Sequence, residues 1–60
     1  MIRIGQERTW INDTNHERFK IIAFDKCEKN VSYFIIQYDT DGRKQCQDNI
    51  TIIEKSQLLT

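Results

Sequence analysis

The stretch that most constrains the fold is "VSYFIIQY", residues 31 to 38, an eight-residue run dominated by β-branched and aromatic side chains. Read with a period of two, it places Val31, Tyr33 and Ile35 on one face and Phe34, Ile36 and Tyr38 on the other. A strand apolar on both faces has neighbours on both sides, so this run predicts an interior strand of a small sheet. Its flanks are polar: "DKCEKN" before it and "DTDGRK" after it.

Other short runs of the same kind flank it. "MIRIGQ", 1 to 6, alternates Ile2 and Ile4 with polar residues up to Gly5, and "RTWI", 8 to 11, continues the strand after a bend. "NDTN", 12 to 15, is a turn by composition. "ERFKIIAF", 17 to 24, alternates around Phe19 and Ile21 and then shifts phase to Ile22 and Phe24, which predicts a bulge or sharp bend. Residues 25 to 30 read as a charged loop with Asn30 in a left-handed conformation. "RKQCQ", 43 to 47, reads as an exposed strand and "ITIIEK", 50 to 55, as a final apolar strand. In "SQLLT", Leu58 and Leu59 are expected to cover an open barrel end, and only the last dozen residues suit a helical turn.

Five short strands in 60 residues are too few for an ordinary two-sheet sandwich. They suit one all-β domain spanning residues 1 to 60: a small, strongly bent, antiparallel five-stranded barrel, whose closure removes exposed edges. A chain of this length buries only roughly 60% of its unfolded surface, so it has little core to give up to a substrate cavity. Phe19 and Phe24 are the expected core aromatics, with Trp10, Tyr33 and Tyr38 half-buried at barrel ends.

Composition narrows the function classes. Nine basic and nine acidic side chains give a formal net charge of zero, so nucleic acid or anionic lipid would be gathered only by a local patch. No apolar run approaches the ~20 residues of a membrane-spanning helix. The N-terminal "MIRIGQERTW" lacks a signal-peptide apolar stretch, so the expectation is a cytoplasmic protein with no membrane partner. Cys27 and Cys46 stand alone, without the spacing of a zinc site, and read as semi-buried free thiols.

Two candidate chemistries fail on spacing. In "YDTDGR", Asp39 and Asp41 fit positions 1 and 3 of a calcium loop, but Gly42 then falls at 4 instead of 6 and Ile50 at 12, so a glycine-assisted hairpin turn is expected. The only histidine, His16, sits beside a turn, and Ser32, Ser56 and the two cysteines have no evident base. Neither catalysis nor a metal or cofactor is expected.

The segment "FKIIAFDKCEKNVSYFIIQYDTDGRKQCQDNI" resembles the core of SH3-like small barrels, in particular Tudor and KOW-type modules. The resemblance covers about two thirds of the chain and rests on a V-x-V-x-Y-like strand, an acidic glycine-containing hairpin and a final apolar segment. Tudor modules that bind methylated side chains hold the cation against aromatic ring faces. Carried over, Trp10, Phe19 and Tyr38 match cage aromatics; the fourth position falls at Asp41, which is not aromatic, and its polar companion at Arg43, which carries the wrong charge. The resemblance therefore speaks to fold.

The expected function is that of a non-enzymatic interaction module that binds a protein partner, as an accessory, a modulator or a homodimer. Trp10 and Tyr38 are its aromatic anchors, beside the charged rim of Asp39, Asp41, Arg43 and Lys44. The second expectation is RNA or single-stranded DNA on a basic stripe of Arg18, Lys20, Arg43 and Lys44, with Tyr33 or Tyr38 stacking on bases.

Overall fold

A computed structural model describes residues 1 to 59. Five antiparallel strands form one sheet: β1 Glu7–Trp10, β2 Arg18–Glu28, β3 Val31–Tyr38, β4 Lys44–Asp48 and β5 Ser56–Leu58, with one helix, α1 Asn49–Lys55, before β5. In sheet order they run β4-β3-β2-β1-β5. The first four strands are an up-and-down meander, and β5 crosses back to pair with β1. The expected all-β, five-stranded antiparallel architecture is present, but β4 and β5 are not neighbours in the sheet, so the barrel is loose and keeps its edges.

The strand at 31 to 38 is interior, paired with β2 on one side and β4 on the other. The phase shift in β2 is a real irregularity: the register with β3 slips between Ile21 and Ala23, and again between Phe24 and Lys26. Ahead of the slips, regular alternation turns Phe19 and Ile21 inward with Ile36 and Tyr38 and leaves Arg18 and Lys20 facing out. Phe19, Ile21, Ile36 and Ile52 are fully buried and Tyr38 nearly so; Ile2, Trp10 and Phe34 pack against them.

Several elements differ from the sequence expectation, each for a local reason. Met1–Gln6 is not a strand. Gly5, at φ +95°, turns the chain, and only irregular bonds tie it to β2, with Gly5 N–H donating to the Ile21 carbonyl at 2.7 Å and Ile21 N–H to that of Gln6 at 3.0 Å. The charged stretch 25 to 28 is strand, because the β2–β3 turn needs only Lys29 and Asn30, both left-handed at φ 51° and 66°. Asn30 thus adopts the conformation anticipated for it.

The apolar run near the C-terminus is mostly helix. Asp48 caps it, accepting from Thr51 N–H at 3.0 Å and from the Thr51 hydroxyl at 2.7 Å, and the three isoleucines then diverge, with Ile52 buried and Ile50 and Ile53 exposed. Ile52, not Leu58, plugs the barrel end; Leu58 is half exposed in β5. Thr60, the last residue of that run, lies outside the described residues. Phe24 is 54% exposed instead of core, since β1 pairs with β2 only over Arg18–Lys20 and leaves the far half of the β2–β3 hairpin uncovered. Cys27 and Cys46 are both exposed free thiols.

Candidate functional site

Three of the residues matched to cage aromatics do converge. The Trp10 and Phe19 ring centroids lie 4.7 Å apart and those of Phe19 and Tyr38 5.9 Å, edge to face. Trp10 Nε1–H donates to the Tyr38 hydroxyl at 2.8 Å, and that hydroxyl donates to Gln45 Oε1 at 3.1 Å. Phe19 is wholly inaccessible and Tyr38 is 6% exposed, whereas Trp10 is half-buried and lines an open concavity of about 290 Å³ with Asn12, Asp13 and Lys55. The remaining approach to the Tyr38 ring is taken by the chain itself, with the Arg43 guanidinium carbon 4.3 Å from the ring centroid.

Arg43 is held there by two acids. Its Nη2 bonds Glu17 Oε1 at 2.9 Å and its Nε lies 3.2 Å from Asp41 Oδ2. Asp41 also accepts from the Arg43 backbone N–H at 3.0 Å, and this bond, ahead of the guanidinium contact, lowers its carboxyl below the usual range. Gly42, at φ +73°, donates its N–H to the Tyr38 carbonyl at 2.9 Å. The hairpin at 39 to 43 is thus an internally satisfied turn, clasped to the loop at Glu17. The structure describes no group of three or more metal-ligating side chains among the described residues.

The basic residues separate into two sets. Lys20 and Lys44 pair across their strands with the same residue, Gln37, from opposite sides, so both lie on the outer sheet face; Arg18 shares that face one alternation along β2, and Tyr33 lies on it further along β3. Arg43 belongs instead to the Glu17–Asp41 clasp. Glu7 pairs with Lys20 from β1. Asp39 is exposed, its backbone N–H bonded to the Arg18 carbonyl at 3.0 Å. Lys26 sits 5.7 Å from the Tyr33 ring centroid and bonds Glu28 at 2.9 Å, and this bond comes first in raising its pKa.

An apolar groove opens on the other side, at the end that the sheet leaves uncovered. It holds about 320 Å³ between Met1, Ile2, Phe34 and Ile53, with Ser32 and Asn49 at its polar edge. Asn49 Oδ1 accepts from Ser32 N–H at 3.2 Å, tying the start of α1 to the start of β3. Phe24 extends the apolar surface, stacked edge to face on Phe34 at 5.6 Å. Met1, Phe24 and Ile53 are each more than half exposed there.

Sequence reasoning singled out none of these groove residues as a binding surface. No sequence signal marked them, because the groove follows from β1 being only Glu7–Trp10 while residues 1 to 11 read as a longer strand. Sequence reasoning also passed over Arg8, buried at 7% exposure, whose Nε donates to Ser56 Oγ at 2.8 Å and Nη2 to the Ser56 carbonyl at 3.3 Å. Burial lowers the Arg8 pKa, and no acid among the described residues pairs with it; it ties β1 to β5.

Comparison with protein-family models, curated proteins and solved structures finds no match. The Tudor and KOW likeness therefore remains a resemblance of pattern, and the five-stranded sheet is compatible with it.

Proposed function

We propose that this chain is a non-enzymatic interaction module on an SH3-like small barrel, whose partner is another protein that places an apolar side chain in the groove between Ile2, Phe34 and Ile53. The observation that carries this reading is the exposure of Phe24 and Ile53 beside that groove, apolar surface that a 60-residue domain would gain by burying within itself. This reading places the contact at the groove and not at the expected Trp10–Tyr38 end, because the Tyr38 hydroxyl is taken by Trp10 and its ring by Arg43. Two exposed thiols suit a reducing, cytoplasmic setting, and the module acts as an accessory or modulator of its partner.

Affinity capture with the wild type, Phe24→Ser and Ile53→Glu, all checked by circular dichroism, tests it. A partner held by the wild type and lost by both variants is the expected result. Partners that all survive both changes would sink the reading.

A second reading, RNA or single-stranded DNA on the outer face, is favoured by one observation: Lys20 and Lys44 flank Gln37, with Arg18 beside them. Binding of that kind weakens steeply with salt and fails in Lys20→Glu. An amide spectrum unmoved by oligonucleotides at low salt excludes it.

A further inference from the structure

We infer that β4 is a self-pairing edge: two copies of this chain join antiparallel through Lys44–Asp48, with Cys46 opposite Cys46 of the second copy and each Lys44 opposite Asp48 of the other. The inference is independent of the apolar groove, because it uses a different part of the molecule.

β4 pairs with β3 on one side and with no other strand among the described residues. Tyr38 N–H donates to the Arg43 carbonyl at 2.9 Å, which makes that pair a hydrogen-bonded one, and the register continues without slip from Gln37 opposite Lys44 to Tyr33 opposite Asp48. Antiparallel pairs alternate, so Gln45 and Gln47 direct their backbone groups to β3 while Lys44, Cys46 and Asp48 direct theirs outward. The Asp48 carbonyl starts the α1 ladder, so its N–H is the group left for a neighbour. The other edges serve poorly: β5 has three residues, and the uncovered half of β2 is bent by register slips.

The sequence of the edge then selects its occupant. "KQCQD" places a cation and an anion symmetrically about Cys46, on the same face. Two such strands related by a two-fold axis through Cys46 bring opposite charges together at both ends, in the phase that the outward N–H and C=O groups require. A slip of two residues loses both charge pairs, and a slip of four toward the hairpin sets Lys44 against Lys44. An edge lysine usually discourages strand addition, whereas here it finds its complement only in another copy.

The anionic end and the centre of the edge suit this pairing. Asp48 stays ionised, its carboxyl lowered first by the Thr51 backbone N–H. The Cys46 thiol, 3.5 Å from Asp25 Oδ2, stays protonated, since desolvation first and that carboxylate second raise its pKa. Hydrogen-bonded antiparallel pairs hold their Cα atoms about 5.5 Å apart and their side chains farther apart than the alternate pairs do. The two thiols therefore lie side by side without needing a disulfide.

Sedimentation equilibrium of the reduced protein at low salt should show a dimer that 0.5 M salt weakens. Lys44→Glu sets like charges opposite each other twice by symmetry and should weaken the dimer about tenfold. Cys46→Pro removes only an outward N–H, keeps the bonds to β3, and should leave a folded monomer. Amide exchange of Lys44, Cys46 and Asp48 should slow as protein concentration rises, with Gln45 and Gln47 protected throughout. In a Cys27→Ser background, a short bis-maleimide should link two chains through Cys46. A monomer up to millimolar concentration overturns the inference, as does a dimer that Lys44→Glu leaves intact. If Cys46→Pro does not fold by circular dichroism, Lys44→Glu and the exchange pattern decide.

Discussion

Asp48 does two things at once: it ends β4 and it caps α1 through Thr51. Its carboxyl and that of Asp41 are both lowered by hydrogen bonds made in the folded state. A depressed carboxyl contributes stability that is fully present above its unfolded pKa of about 3.9 and is lost as pH falls through the folded value. We predict a urea midpoint that is level from pH 7 to about 5 and falls below about 4. Asp48→Asn retains a capping oxygen and removes the titration, so it should shallow that acid limb; an unchanged limb would refute the role given to Asp48. Arg8 shows the opposite case at the same scale. A charged residue in the alternating "ERTW" reads as solvent-facing, yet its neighbour Ser56 lies 48 positions away, and no local pattern carries that pairing.

At the scale of elements, what could be read from the sequence was what period and turn chemistry determine. The run at 31 to 38, the slip in β2, Asn30 in a left-handed turn and the Gly42 hairpin each follow from residues adjacent in the chain. The segment 49 to 55 lies where a helical turn was allowed but reads as a strand, because its β-branched residues favour one while its helix depends on a cap, Asp48, and on a site for Ile52 in the barrel end. Tertiary burial outweighs propensity there. Phe24 was misread for a related reason, since its exposure depends on how far β1 extends, and that is a property of another element. The two-residue turn offers a direct check. Lys29 at φ 51° carries left-handed strain that an asparagine tolerates better, and Asn30 at φ 66° suits glycine. Lys29→Asn with Asn30→Gly should stabilise the protein by roughly 0.5–1 kcal/mol in denaturant unfolding; destabilisation would show that the lysine side chain contributes more than its backbone costs.

At the scale of the molecule, five inward side chains from β2, β3 and α1 make the core among the described residues, a small number for any domain. No helix among the described residues is long and apolar enough to cross a membrane. The apolar groove and the β4 edge are both consequences of a sheet that stops short of closing.

The pairing of β1 with β5 also sets an order of assembly. The β2–β3 hairpin needs to close only a two-residue turn, whereas Arg8 meets Ser56 across 48 positions, and the entropy of that long loop must be met before its bonds return anything. The hairpin is therefore the expected nucleus and β5 the last strand to dock. Native-state hydrogen exchange should find amides of β5 and α1 opening at lower free energy than those of β3, and mutations that loosen Arg8 from Ser56 should speed unfolding while leaving the folding rate nearly unchanged. Equal protection across all five strands would instead mean that the chain opens as a single unit.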